Sequence, residues 1–292
     1  MIYDINGNLL DSAYDIDSER LRYAYDKSGT VIYEDGAIVP VKVMEYNVGQ
    51  WYIGDGSVVP AAKESEYRTL IDTMLSQNDP DILIMCEYDT TFSDSGTTAE
   101  SVLGEYFPYI SAHEYGGKNG LGVASKYPIS NYQRHMFTNS GSTWHSYDSF
   151  TVTVEDMPIT VIATHLTYAT ESYRLAENAQ LLSYVAGLDS FILAGDFNTT
   201  YCDSESTSDF QNMIKPYLDA GYNVANCNNI HGFHITFRNT HDDSGYVGRL
   251  DNIITSSDLP IESVHVDNTK VTDTILDEPL DHLPLIAVLS LS

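Results

Sequence analysis

Apolar residues come in short runs along this chain, and run after run closes on a polar side chain. Pro40-Val-Lys-Val-Met-Glu-Tyr-Asn47 alternates with a period of two and reads as a strand ending at Asn47. Asp81-Ile-Leu-Ile-Met-Cys-Glu87 is almost continuously apolar, as a strand covered on both faces would be, and ends in a carboxylate. Residues 122–126 read as a strand entering the turn Tyr127-Pro-Ile129. Residues 150–154 and 159–166 read as paired strands around Asp156-Met-Pro158, with His165 near the end of the second. Ser190-Phe-Ile-Leu-Ala-Gly-Asp-Phe-Asn198 is the most abrupt case. Gly195 permits a turn or a close backbone approach, and Asp196 and Asn198, two apart, face one side of an extended chain. An Asx-type turn accounts equally well for that pair taken alone. Residues 249–255 form a strand that contains Asp251, and 283–291 a last strand preceded by Leu280-Asp-His282.

Helical periodicity marks residues 61–77, where Tyr67, Leu70, Ile71, Met74 and Leu75 make an apolar stripe that Pro80 ends. It also marks 171–186, closed by Gly187, a weaker helix over 208–218 interrupted by Pro216, and a short one near 98–105. Several strands follow one another with no helix between them. That order favours an α/β sandwich with mixed sheets over a doubly wound fold. The main domain is thus residues 39–292. Residues 1–36 stand apart: Tyr3-Asp4, Tyr14-Asp15 and Tyr25-Asp26 recur every eleven residues, with turn formers after each, and read as small hairpins too slight to bury much alone. This extension suits attachment or self-association, and equally a β-decoration without function.

Composition narrows the picture. In 292 residues, 42% are hydrophobic, so a large core forms and disorder is not expected. No run of eighteen apolar residues occurs. Met1-Ile-Tyr-Asp-Ile-Asn6 lacks the basic and apolar regions of a secretory signal, the expectation being a chain that stays inside or leaves by another route. Cys86, Cys202 and Cys227 have neither zinc spacing nor an even count and read as free thiols, Cys86 in the core. The balance of 42 acidic against 14 basic residues, net −28, repels nucleic-acid backbones and anionic membranes at long range while favouring divalent cations. A bound metal would invert that field locally.

Buried strands that repeatedly end in Asn, Glu, His and Asp are poorly explained by packing. Oxygen donors of this kind suit Mg²⁺, Mn²⁺ or Ca²⁺, and two histidines near carboxylates suit proton transfer or phosphate contact. Over residues 40–291 the chain resembles the endonuclease/exonuclease/phosphatase superfamily. Val43-Met-Glu-Tyr-Asn47, Asp81 to Glu87, Gly122-Val-Ala-Ser-Lys-Tyr-Pro-Ile129, Thr164-His-Leu166 with Arg174 and Gln180, Gly195-Asp-Phe-Asn198, Arg249-Leu-Asp251 and Asp281-His282 with Pro284 occur in the family's order. The resemblance implies a four-layer α/β/β/α sandwich with two mixed sheets, here with the short β-repeat extension in front. It implies a divalent-metal-dependent phosphoesterase, with a phosphodiester in nucleic acid as the first substrate class and a lipid or small-molecule phosphoester as the second.

By position, Glu87 would ligate the metal, supported by Asn47 and Asp281. Asp196 would position or deprotonate the attacking water, or touch a second metal. Asn198 would donate to a phosphate oxygen, and His165 would contact phosphate or help protonate the leaving oxygen. His282 would pair with Asp251 and act on the phosphate or as a base. Cys86 stands where the family often has Gln, Gly49 where repair exonucleases carry Asp, and Leu280 where Ser is common. These departures argue against abasic-site repair. An apolar loop, Trp51-Tyr-Ile53 with Val58-Val59, would touch a membrane or a base, or cover the core. His231 or His234, ahead of Thr236-Phe237, would lie at the surface or reach the site. A reading of another class is a non-catalytic binding protein assembled through residues 1–36.

Overall fold

Alternation along each strand decides which side chains meet between the sheets. In the computed structural model, residues 39–51, 59–114, 120–138, 145–238, 247–267 and 281–291 are described, with the backbone of four short strands ahead of them. Those four are β1 (Ile2–Tyr3), β2 (Leu9–Leu10), β3 (Tyr23–Tyr25) and β4 (Val31–Glu34), and they pair antiparallel as β1 with β2 and β3 with β4. The chain then runs β5 (Val39–Asn47), α1 (Glu64–Asn78), β6 (Ile82–Tyr88), α2 (Ala99–Leu103), β7 (Tyr109–His113), β8 (Gly120–Ser125) and β9 (Ile129–Met136). It continues through β10 (Ser146–Val154), β11 (Met157–His165), α3 (Glu171–Val185), β12 (Phe191–Asp196), α4 (Lys215–Asp219) and β13 (Asn223–Val224). A small hairpin, β14 (Phe237–Arg238) and β15 (Val247–Gly248), precedes β16 (Asp251–Thr255), β17 (Ile261–Val266) and β18 (Leu285–Leu291).

Two six-stranded sheets result, in the orders β17-β18-β5-β6-β8-β7 and β13-β16-β12-β11-β10-β9. Each is mixed: β5 and β6 are parallel in one, β11 and β12 in the other, and their remaining neighbours are antiparallel. The core between the sheets takes Val41 and Val43 from β5, Ile82 and Ile84 from β6, Val161 and Ala163 from β11, Ile192 and Ala194 from β12, and Ile253 from β16. Outside the first sheet, Tyr67, Ile71, Met74 and Leu75 of α1 cover Met44, Tyr46, Leu83 and Met85. Outside the second, Leu181 and Val185 of α3 cover Ile162, Phe191 and Leu193. The layers are therefore α/β/β/α.

Three sequence expectations change. The helix over 208–218 is a π-turn, Phe210–Ile214, followed by α4. Pro216, which has no N–H to donate, sits in the first turn of α4, where none is needed. Strands β7, β9 and β17, absent from the sequence reading, flank the sheets; β9 is largely exposed and carries little apolar signal. Lastly, Trp51 and Val59 are buried, not an exposed apolar loop. The Trp51 ring packs against Tyr88 and Phe92, and its Nε1–H donates to the Asp89 carbonyl at 2.9 Å. Tyr52, Ile53 and Val58 lie outside the described residues.

Candidate active site

The same alternation that puts Val41, Val43, Ile192 and Ala194 into the core carries the inner face upward to polar ends. On β5 the inward series continues to Glu45 and Asn47. On β11 and β12 it continues to His165 and Asp196, which are direct partners across the parallel pair. On β12 and β16 the register sets Asp196 opposite Asp251. Four strand termini from two facing sheets thus converge at one end of the sandwich.

Asn47 joins the sheets. Its Nδ2 donates to Glu87 Oε1 at 3.1 Å and to Asp196 Oδ2 at 3.2 Å, and lies 3.5 Å from His282 Nε2. Its Oδ1 accepts from the Gly49 N–H at 3.0 Å. His165 sits between the same carboxylates, with Nε2 3.5 Å from Asp196 Oδ2 and Nδ1 3.9 Å from Glu87 Oε1. His282 completes the ring: Nδ1 lies 2.9 and 3.1 Å from the two Asp251 oxygens, and Nε2 is 3.6 Å from Asp196 Oδ2. Asp281 is half-buried at the rim beside His282. Every residue assigned a role from the sequence is therefore placed at this end, and Asn47, Glu87, His165, Asp196, Asp251 and His282 are joined by an unbroken series of contacts.

Backbone geometry explains how the termini hold these groups. A Cβ on Gly195 would meet the Thr164 carbonyl oxygen at 1.8 Å, and its φ is +151°, so only glycine lets β12 lie this close to β11 just below Asp196. Asn198 adopts φ +52°. It does not extend the strand with its side chain parallel to that of Asp196: its N–H donates to Asp196 Oδ1 at 2.7 Å, an Asx turn, and its Nδ2 donates to the Leu166 carbonyl at 2.7 Å. Glu87 also adopts φ +52°, at a register shift between β6 and β8. Left-handed backbone at a non-glycine costs on the order of 1 kcal/mol or more and concentrates where side-chain aim matters.

Burial and charge pull in opposite directions here. Burial pushes the Asp251 carboxyl up to about 6, against the pull of His282. Burial also works to discharge His282, yet the charge of Asp251, then of Asp196 and Asp281, outweighs it and lifts the imidazole well above its usual range. His282 is thus biased toward its protonated form, with Nδ1 against Asp251 and Nε2 on the side of Asp196. Among the described residues, one group of three His, Cys, Asp or Glu side chains brings its ligand atoms within 4.8 Å of one another, and it is Asp196, Asp251 and His282.

The sequence reading gave no role to Thr236, Phe237 or Glu45. Thr236 Oγ1 accepts the N–H groups of Leu250 and Asp251 at 3.2 and 3.1 Å, pinning the start of β16. Phe237 packs edge-on against the His282 ring at 5.1 Å. Glu45 is fully buried beneath the cluster, with Oε2 unpartnered; burial first, then the Asp251 charge, holds its carboxyl well above the usual range. Cys86 lies against it, its thiol donating to the Thr164 carbonyl at 2.9 Å. The signal for Glu45 was its place on the apolar face of β5, two residues from Val43 and from Asn47. His231 and His234 are half-buried in the loop before Thr236, His234 Nε2 lying 2.8 Å from the His231 carbonyl. His145 pairs with the buried Glu177 at 3.0 Å.

Comparison with known proteins follows the same line. A family model described as Endonuclease/Exonuclease/phosphatase family matches residues 57–282. No curated protein matches the chain. Among solved structures, an endonuclease/exonuclease/phosphatase family protein from Leptotrichia buccalis is similar at 18% identity and TM-score 0.62, over 85% of this chain and 99% of that one. An endonuclease/exonuclease/phosphatase from Beutenbergia cavernae is similar at 17% identity and TM-score 0.59, over 87% of this chain and 72% of that one. Truncated TDP2 from Caenorhabditis elegans is similar at 16% identity and TM-score 0.58, over 86% of this chain and 97% of that one.

Proposed function

The chain belongs to the endonuclease/exonuclease/phosphatase family, and from that premise we propose that it is a divalent-metal-dependent phosphodiesterase whose first substrate class is nucleic acid. The observation that carries this reading is the joined cluster. The His282 ring is fixed by Asp251, faces Asp196, and is linked through Asn47 to a Glu87 carboxylate that is a quarter exposed.

The donor set fits a hard divalent ion. Glu87 offers carboxylate oxygen at the open side, with Asp281 at the rim, whereas the nearby Cys86 sulfur is committed to a backbone carbonyl. Asn47 uses its amide nitrogen on the two carboxylates and its oxygen on Gly49, so its task here is to orient Glu87. When bound, such an ion polarises the phosphoryl group and neutralises its charge. The remaining chemistry belongs to the chain. His282 Nε2–H donates to a non-bridging phosphate oxygen as negative charge grows there. Asp196 orients the attacking water and takes its proton as the new P–O bond forms. His165 supplies a proton to the departing oxygen. One amide hydrogen of Asn198 is spent on Leu166, and the other serves the phosphate. Trp51 and Val59 are buried and so lend no support to a lipid substrate.

Purified protein supplied with Mg²⁺ or Mn²⁺ is expected to hydrolyse DNA, RNA or bis-p-nitrophenyl phosphate, and to leave sphingomyelin and phosphoinositides unchanged. Turnover of the lipids alone would replace the nucleic-acid reading, and turnover of none would refute the phosphodiesterase.

A further inference from the structure

Three large side chains stand far out of the described surface: Tyr168 at 80% exposure, Ile230 at 75% and Tyr201 at 67%. All three lie on loops at the end of the second sheet that carries the cluster. Tyr168 follows His165 by three residues, and Tyr201 follows Asn198 by three. Because β11 and β12 are parallel neighbours with His165 opposite Asp196, the two loops leave the sheet side by side. Their exits are tied together by Leu166 N–H donating to the Asp196 carbonyl at 2.8 Å and Asn198 Nδ2 donating to the Leu166 carbonyl. Their backbones are held further out as well. The Tyr168 carbonyl accepts from Arg174 Nη1 at 3.4 Å, and the Tyr201 N–H donates to Asp209 Oδ2 at 2.9 Å. Two aromatic rings are thus presented to solvent from a braced frame, each three residues from a group that faces the reacting phosphate.

We propose that Tyr168 and Tyr201 form a stacking platform at the mouth of the cleft, and that the substrate is an unpaired nucleic-acid strand held by its bases. This rests on the phosphodiesterase reading above. Charge selects this occupant. A duplex is gripped mainly by Lys and Arg neutralising phosphates, and a chain with 42 acidic and 14 basic residues is poorly equipped to do so. Stacking on an aromatic face does not require cations and tolerates any base. A duplex keeps its base faces inside the stack, so only an unpaired strand offers them.

The test is binding by the full-length protein without added metal, read by fluorescence anisotropy. Labelled oligothymidylate and oligouridylate are compared with an abasic backbone of equal length, a duplex, and phosphatidylcholine vesicles as competitor. A single strand is expected to bind at least about tenfold more tightly than the abasic backbone or the duplex, and the oligothymidylate and oligouridylate arms tell DNA from RNA. Tyr168→Ala and Tyr201→Ala should each weaken that binding about tenfold, and Tyr168→Phe and Tyr201→Phe should keep it. Affinity should fall only shallowly with salt. Equal binding of abasic and base-bearing strands, unchanged affinity in both alanine variants, displacement by vesicles, or no binding at all would overturn the platform. Because the readout needs no turnover, it separates from the parent reading. A protein that binds single strands through these tyrosines but cleaves no phosphoester with metal would refute the phosphodiesterase alone. One that cleaves abasic and ordinary strands with equal KM would refute the platform alone.

Discussion

Glu87, on β6, and His282, just ahead of β18, carry the proposed chemistry from one sheet, and Asn47 of β5, the strand between them, is the bridge. Glu87→Gln and His282→Ala should each lower kcat by about 10²–10⁴-fold; the first removes a carboxylate at an open edge and should leave the unfolding midpoint nearly unchanged, whereas the second also leaves the buried Asp251 carboxylate without its partner and should lower it. Retained activity in both variants would mean that the centre is elsewhere. Gly195→Ala should be severely destabilising, by about 4 kcal/mol or more, because its methyl group would overlap the Thr164 carbonyl and its φ is +151°. Glu45 gives a prediction of opposite sign. Its carboxyl ordinarily titrates at 4.5 and is held well above that in the fold. The native state therefore keeps a proton that the unfolded chain releases, so its stabilising contribution is full below about pH 4.5 and declines as pH rises toward the folded value. In metal-stripped protein, Glu45→Gln should remove that decline and raise Tm more at about pH 8 than at about pH 5. Equal shifts at both pH values would show that Glu45 is ionised in the fold. The sequence made the polar strand ends visible because each interrupts an apolar run. It hid Glu45, whose flanking residues look like an ordinary alternating strand until the inward face is known.

At the level of elements, the site depends on strand registers that are fixed by the apolar residues below it. His165 faces Asp196, and Asp196 faces Asp251, because Val161, Ile192 and Ile253 are committed to the core on the same faces. A one-residue slip would turn each polar end outward. This much was legible, since β5, β6, β11, β12, β16 and β18 all have strong apolar runs. The outer strands were not. The stretch Ile129-Ser-Asn-Tyr-Gln-Arg-His-Met136 has the look of a loop, and it becomes β9 through pairing with β10. Its Arg134 makes a two-pronged ion pair, both bonds at 3.0 Å, with Asp148, whose side chain is fully buried. Arg134→Ala should destabilise the fold by about 3–5 kcal/mol by leaving that carboxylate buried without its countercharge, held only by the Tyr132 hydroxyl at 3.2 Å, while Arg134→Ala combined with Asp148→Leu should recover much of the loss. Urea unfolding of the two variants tests this; equal destabilisation by both would show that packing, not charge, is what the arginine provides.

The whole molecule is a sandwich whose helices cover the outer faces and whose strand ends gather one polar cluster, set within a strongly acidic chain. At a net charge of −28, bringing a phosphodiester to the reacting position itself calls for a local field there that differs from the global one. In the proposed mechanism a divalent ion held through Glu87, with His282 beside it, would supply that difference. The family order of the motifs could be read in the sequence because the motifs mark strand ends. Their spatial union could not, because it depends on two sheets facing each other across residues far apart in the chain. The central claim is that catalysis requires a divalent ion held through Glu87. Its most direct test is the rate of bis-p-nitrophenyl phosphate hydrolysis by metal-stripped protein titrated with Mn²⁺, for the parent and for Glu87→Gln. The account predicts no rate without metal, a saturable rise in the parent, and a rise in the variant lower by about 10²-fold or more. A rate that is independent of Mn²⁺, or unchanged by Glu87→Gln, would contradict it.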